Sequence, residues 1–249
     1  MSRTEAAIAF ENVRKSFGTR TILDGVTFEV PKGRSIAILG RSGTGKSVSL
    51  KLMIGLLTPD SGKVEVLGKQ PAQLDSPGMS ELRKRMGFLF QNSALFDSIN
   101  VFDNIAFPLR RNKKGTEAEI RERVETLLAE VQLPGEGEKM PSELSGGMKK
   151  RAALARALAM DPEVLLVDEP SAGLDPITSE EIDDLLESIR NDASKTLVVV
   201  THNMPSARRL GHELLFLDEG KVLAQGPPEE LEGSSEELVQ KFLSSVSGG

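Results

Sequence analysis

No cysteine occurs in the 249 residues, which excludes a disulfide framework, thiol catalysis and thiolate metal sites, and is compatible with a reducing compartment. Tryptophan and tyrosine are missing too, so ten phenylalanines supply every ring of that class. An excess of positive charge is also absent. The 31 Lys and Arg are outnumbered by 37 Asp and Glu, for a net charge of −6, and nucleic acid is therefore not an expected partner. No apolar run approaches the ~18 residues of a membrane span, and Met1-Ser2-Arg3-Thr4-Glu5 leads directly into a strand-like segment. The chain is expected to be cytoplasmic, with any membrane role reached through a partner. What is present, 39% hydrophobic and 27% charged residues, suffices for a substantial core in one α/β domain, with or without an inserted subdomain.

The stretch that organises the rest is Gly40-Arg41-Ser42-Gly43-Thr44-Gly45-Lys46-Ser47, a G-x-x-x-x-G-K-S loop. It lies between an apolar strand-like run, Ser35 to Leu39, and a helix-period segment, Val48 to Leu57. That context is what a phosphate-binding loop requires. Glycines let backbone N–H groups converge on phosphate oxygens. Lys46 would reach the β- and γ-phosphates as a point charge, and the Ser47 hydroxyl would ligate a bridging Mg²⁺. The competing reading is an ordinary glycine-rich turn with an exposed lysine.

Ile8–Phe17, Val26–Val30 and Lys63–Leu67 read as β-strands flanking the loop's own strand, with a turn at Gly18-Thr19-Arg20. Phe17 is either an adenine-stacking ring or a plain edge phenylalanine. Met86–Phe90 reads as a short buried strand ending at Gln91, by itself an ordinary polar loop residue, and Asn92–Leu109 as irregular chain punctuated by Pro108. Glu117–Val131 is helical, with Ile120, Val124, Leu127, Leu128 and Val131 on one stripe. Leu144-Ser145-Gly146-Gly147 opens a helix running from Met148 to Met160. Its N-terminus would attract an anion, or simply cap the helix beside a solvated basic face of Lys149, Lys150, Arg151 and Arg156.

Val164–Val167 is a parallel-type buried strand that delivers Asp168 and Glu169 at its C-terminal end, where open α/β sheets place ligands. Asp168 would hold Mg²⁺, and Glu169 would polarise attacking water as general base. A capping box at Thr178-x-x-Glu181 is expected to start the next helix, whose apolar face is Ile182, Leu185, Leu186 and Ile189. Thr196–Val200 is a further buried strand ending at Thr201-His202. A lone histidine is usually structural, but at this strand end His202 would donate to a γ-phosphate; His212 has no such setting. A hairpin from Leu214 to Gln225 precedes a terminal helix ending near Leu243, with Ser244–Gly249 expected to be disordered.

Taken in order, the phosphate loop, Gln91, L-S-G-G, the strand with Asp-Glu, the Gly173-Leu174-Asp175 turn and His202 resemble the motif set of ATP-binding subunits of ABC transporters, from about Ile8 to Leu231. The resemblance implies a P-loop NTPase fold with a RecA-like core, an antiparallel β subdomain and an inserted α-helical subdomain. It implies one domain over 1–243, with 1–91 and 162–231 as core and β subdomain, 92–161 as helical subdomain, and 232–249 as a short helix and tail. It makes Phe17 the adenine-stacking residue, in place of a frequent tyrosine. Gln91 becomes the switch glutamine and a Mg²⁺ ligand, His202 the γ-phosphate sensor, and Asp175 an interface aspartate. Ser145, Gly146 and Gly147 would contact the γ-phosphate from the opposite subunit of a head-to-tail homodimer. Met148, where most members carry glutamine, and the run Leu95 to Leu109 are most similar to the Mla/Mce-type phospholipid transporter ATPases. That implies ATP and Mg²⁺ as cofactors, a membrane permease and an Mce-domain lipid-binding protein as partners, and a peripheral place on the inner face of the plasma membrane. A soluble ABC ATPase of assembly or repair, or a transporter of another solute, is the alternative. A P-loop kinase or GTPase is disfavoured by L-S-G-G and by the absence of a guanine-reading N-K-x-D.

Overall fold

A computed structural model describes residues 5–231, 239 and 240. They form two compact units, one made of the chain up to Arg83 with the chain from Glu187 onward, the other of Lys84–Leu186. Both mix strands and helices, as an α/β reading requires. The expected terminal helix and tail lie outside the described residues.

The first unit opens with β1 (Ala6–Phe17) and β2 (Arg20–Pro31), joined by the two residues Gly18 and Thr19. β3 (Ser35–Leu39) leads through the phosphate loop into α1 (Lys46–Met53); β4 (Ser61–Val66) and α2 (Ser76–Lys84) follow. β2, β1 and β4 make a three-stranded antiparallel sheet, stitched by Phe10 and Phe28, which are register partners whose rings stack at 4.6 Å. α1 starts two residues before the expected Val48 and stops at Met53 rather than Leu57. Gly55, at φ 65°, ends it in a left-handed turn, with the Leu56 N–H donating to the Lys51 carbonyl at 2.9 Å.

In the second unit, β5 (Met86–Leu89) precedes α3 (Val101–Arg111), α4 (Glu117–Glu130), α5 (Gly146–Leu158), β6 (Val164–Asp168) and α6 (Pro176–Arg190). β5 and β6 run parallel, and all five residues of β6 are buried, as expected for a strand covered on both faces. The expectation of irregular chain from Asn92 to Leu109 fails at α3, which forms with Pro108 inside it. Proline removes one intrahelical hydrogen bond, a cost of about 3 kcal/mol. Against that, Val101, Phe102, Ile105 and Leu109 are buried along one face, each such side chain contributing roughly 1.5–3 kcal/mol. The Asn100 side chain adds an N-cap by accepting from the Asp103 N–H at 2.8 Å. The capping box expected at Thr178 and Glu181 is also displaced. α6 begins at Pro176, and Asp175 caps it by accepting the Thr178 N–H at 3.0 Å and the Thr178 hydroxyl at 2.6 Å.

The chain returns to the first unit with β7 (Thr196–Val200), α7 (Met204–Leu210), the hairpin β8 (Glu213–Asp218) and β9 (Lys221–Gly226), and α8 (Pro228–Leu231). β3 lies between β7 and β8, parallel to both, and β9 is antiparallel to β8. Ala37, Leu39, Met204, Ala207, Leu214 and Phe216 form a buried cluster with Leu231 and Val239. At its margin the Ser35 N–H (3.1 Å) and hydroxyl (2.6 Å) both face His212 Nδ1, while the His212 N–H donates to Ser35 Oγ at 2.9 Å.

Candidate functional site

The parallel register Ile38↔Val200 makes Gly40 and His202 leave the same edge of the first unit's sheet. Gly40 sits at φ 154°, and a β-carbon on it would stand 2.1 Å from the Leu217 carbonyl oxygen. No side chain fits there, so the chain turns back close to β8. Gly45, at φ 106°, begins α1 without any side-chain cap, and no acidic residue occupies the first turn. Such a helix start favours an anion. Lys46 is 7% exposed, its ammonium donating to the Gly40 carbonyl at 2.7 Å and the Arg41 carbonyl at 3.0 Å. Beside it opens a cleft of about 200 Å³, lined in part by Phe17, Arg20, Ile22, Gly45, Lys46 and Ser47.

Phe17 is 49% exposed, a surface ring rather than a core residue, with the Lys15 ammonium 5.6 Å from its centroid. The hairpin pairs it directly with Arg20, so the two-residue turn sets a ring and a guanidinium side by side at the cleft. Arg20 escaped the sequence reading, which treated it as part of the turn; its pairing partner was the available signal. His202 is exposed and follows Thr201, whose N–H donates to the Ile38 carbonyl at 3.2 Å.

The second unit repeats the strand-end arrangement. The register Leu89↔Val167 puts Gln91 and Glu169 each two positions past a paired strand residue. Asp168 is 8% exposed, and Glu169 is half-buried with φ 47°, a left-handed conformation costly for a side chain with a β-carbon. Between the two strand ends stands Lys150, 4% exposed, whose ammonium donates to the Gln91 carbonyl and, at 3.2 Å, to the Glu169 carbonyl. Burial pulls its proton affinity below the usual lysine range, partly offset by the charges of Asp168 and Glu169. Arg156 grips the Ser93 carbonyl at 2.9 Å and the Ala94 carbonyl at 2.8 Å, and burial lowers its pKa also.

The alternative of a solvated basic face along α5 thus fails for Lys150 and Arg156. A helix carrying Ala152, Ala153, Leu154 and Ala155, all buried, is enclosed nearly all round, and its cations are drawn inside to loop carbonyls. At the start of α5, Ser145 accepts the Met148 N–H at 3.2 Å, and Ser145 and Gly146 are exposed. Gly147 is buried against α6, where a β-carbon would lie 2.3 Å from Thr178 Cγ2. Asp175 caps α6, and its carboxyl is held below the ordinary range by the Thr178 hydroxyl and N–H.

Phe17, Gly40–Ser47 and His202 therefore belong to the first unit, and Gln91, Ser145–Gly147, Asp168, Glu169 and Asp175 to the second. Ser47, Gln91 and Asp168 offer hydroxyl, amide and carboxylate oxygens, the hard donors that suit Mg²⁺. Among the described residues no group of three or more His, Cys, Asp or Glu is gathered as a metal site, and no helix is long and apolar enough to cross a membrane.

The family model of the ABC transporter matches residues 23–172. A probable ribonucleotide transport ATP-binding protein, mkl, of Mycobacterium leprae is 43% identical over 95% of this chain and 68% of its own length. The intermembrane phospholipid transport system ATP-binding protein MlaF of Haemophilus influenzae is 40% identical over 97% of this chain and 92% of its own. A solved ATP-binding cassette, a dimer in a post-hydrolysis state bound to ADP and Pi, superposes with a TM-score of 0.82 at 32% identity, over 88% of this chain and 98% of that one. The chain belongs to the ABC transporter family, as one of its ATP-binding cassettes.

Proposed function

We propose that the chain binds ATP with Mg²⁺ and hydrolyses it to drive a transporter that moves phospholipid or a related lipid between membranes. The observation that carries the nucleotide reading is the Lys46 ammonium, buried against the carbonyls of Gly40 and Arg41 beside the cleft that Phe17 borders. Phosphate oxygens are stronger acceptors than carbonyls, so an arriving triphosphate would draw the ammonium to itself. In the proposed reaction a water oxygen attacks the γ-phosphorus while its bond to the bridging β-phosphate oxygen breaks, releasing ADP and phosphate. Glu169 takes the proton from that water. Lys46 and His202 bind phosphate oxygens, Gln91 orients the nucleophile, and Phe17 stacks on adenine. Ser47, Gln91 and Asp168 would hold Mg²⁺, which when bound neutralises charge on the β- and γ-phosphates.

Ser145, Gly146, Gly147 and Asp175 would complete the site of a second copy in a head-to-tail homodimer, their exposed helix start meeting the other copy's γ-phosphate. The membrane permease would dock at Phe96 and Phe107, which are 45% and 44% exposed with ring centroids 4.9 Å apart. An Mce-domain lipid-binding protein would complete the assembly on the inner face of the membrane. Lipid is favoured over another solute by the likeness to MlaF along nearly all of both chains, and by the run Leu95–Leu109. The relative named for ribonucleotide transport supports a different cargo. Purification from detergent extracts followed by lipid analysis decides: phospholipid recovered with chain and permease supports this reading. A nucleotide-transporting complex, or the chain alone without a permease, refutes it.

A further inference from the structure

We propose that Lys150 is a positioning residue for the hydrolytic carboxylate, its ammonium locking the backbone of Glu169 to that of Gln91. The inference rests on the reading of Glu169 as general base. Lys150 stands in the second turn of α5, and the two carbonyls it holds belong to residues in register, each two positions past a paired strand residue. There the parallel register of β5 and β6 has ended. Glu169 has already left extended geometry for φ 47°, and besides Lys150 its carbonyl accepts the Ala172 N–H at a long 3.3 Å. A left-handed glutamate persists only where its surroundings over-determine it. The charge-assisted bond from a buried ammonium supplies that constraint, and thereby sets the direction in which the Glu169 carboxylate leaves the strand end.

The arrangement also explains why a lysine is buried here. Three donors on one compact charge suit carbonyls converging from two strands, whereas a planar guanidinium suits a single fork. Asp168 and Glu169 supply the compensating charge. Because Arg156 holds the carbonyls of Ser93 and Ala94 from the same helix, α5 grips the chain after β5 at two points. The helix that begins at Ser145 is thereby mechanically tied to both Gln91 and Glu169.

The test is a double-mutant cycle in Mg·ATP hydrolysis by the full chain, comparing Lys150→Met, Glu169→Gln and the double variant. Lys150→Met should lower kcat by roughly 10–100-fold, the scale of a reacting group misplaced by an ångström, with KM for ATP changed by less than about twofold. Added to Glu169→Gln, it should change the residual rate by less than about twofold, because the group it positions is already disabled. A purely structural role would instead reduce both backgrounds alike. Equal losses in the two backgrounds, a parental kcat in Lys150→Met, or a rise in KM alone would overturn the proposal. If Lys150→Met melts early, Lys150→Leu, which likewise removes every donor, completes the same cycle under the same criteria. Failure of the Glu169 reading is seen separately, as parental hydrolysis by Glu169→Gln alone, and overturns both. Failure of the positioning role by itself leaves Glu169→Gln slow.

Discussion

At the scale of single residues, geometry decides which of several cations or small side chains acts. Lys46 was legible from its motif, because the glycine spacing that places it is local. Lys150 was not, since nothing local distinguishes it from Lys149; only the enclosure of α5 by other elements turns one inward. Lys46→Ala should lose charge-assisted contacts of about 1.5–3 kcal/mol each, read as weakened ATP binding by calorimetry; unaltered binding and hydrolysis would misplace the site. Gly147 makes a sharper steric case. Thr178 cannot rotate away without losing its 2.6 Å bond to Asp175, so Gly147→Ala should cost about 1–3 kcal/mol in urea unfolding. Adding Thr178→Ser, which removes the clashing methyl and keeps the hydroxyl, should restore most of it. His212 carries a pH dependence. Its Nδ1 accepts from Ser35 and is therefore unprotonated, and burial, followed by the nearby Arg190 and Arg34, lowers its pKa from 6.5, with Glu213 opposing. A base with a depressed folded pKa takes up fewer protons folded than unfolded, so its contribution is full above the unfolded value and falls away as pH drops through the folded one. Stability should therefore decline below about pH 6.5, and the decline should be shallower in His212→Asn.

Among elements, strands read most clearly in the sequence, because β3, β6 and β7 are short β-branched or leucine-rich runs buried along their whole length. Helices read well where periodicity and cap agree, as in α4, whose Thr116 and Glu119 form a reciprocal capping box. They failed where one strong local signal opposed several weaker ones. Pro108 argued against a helix, and α3 formed because its apolar face and the Asn100 cap together outweigh one missing bond. Asn104 reinforces that outcome. Fully buried, its amide donates to the carbonyls of Phe96, Ile99 and Asn100 at 3.0–3.2 Å and accepts the Phe96 N–H at 2.8 Å. Asn104→Ala should cost about 2–4 kcal/mol in chemical denaturation, because several buried partners lose their bonds together. The proposed docking run is not uniform at this scale: Phe102 is 7% exposed, so a charge placed there would report on folding. Phe107→Glu is the informative variant: it should abolish co-purification with membrane partners while leaving ATP binding unchanged.

For the whole molecule, the order of motifs along the chain was enough to reach the family, because each motif closes a strand or opens a helix and the fold fixes that order. The cargo proposal rests on the sequence likeness of the run Leu95–Leu109 and not on the fold, and no described helix is long and apolar enough to cross a membrane. Its relatives accordingly carry names for different cargoes. What the chain itself claims is the division of labour at β6, where Asp168 serves Mg²⁺ and Glu169 serves water. The direct test is Glu169→Gln, which keeps the size and hydrogen-bonding reach of the side chain but takes no proton. Mixed with Mg·ATP and examined by light scattering, it should accumulate as an ATP-bound dimer, with hydrolysis lowered by the ~10²–10⁴ of a lost general base. Asp168→Asn should instead lose Mg²⁺-dependent tight binding first. Hydrolysis by Glu169→Gln at the parental rate, or its failure to dimerise with ATP even in the presence of its permease, would contradict the account.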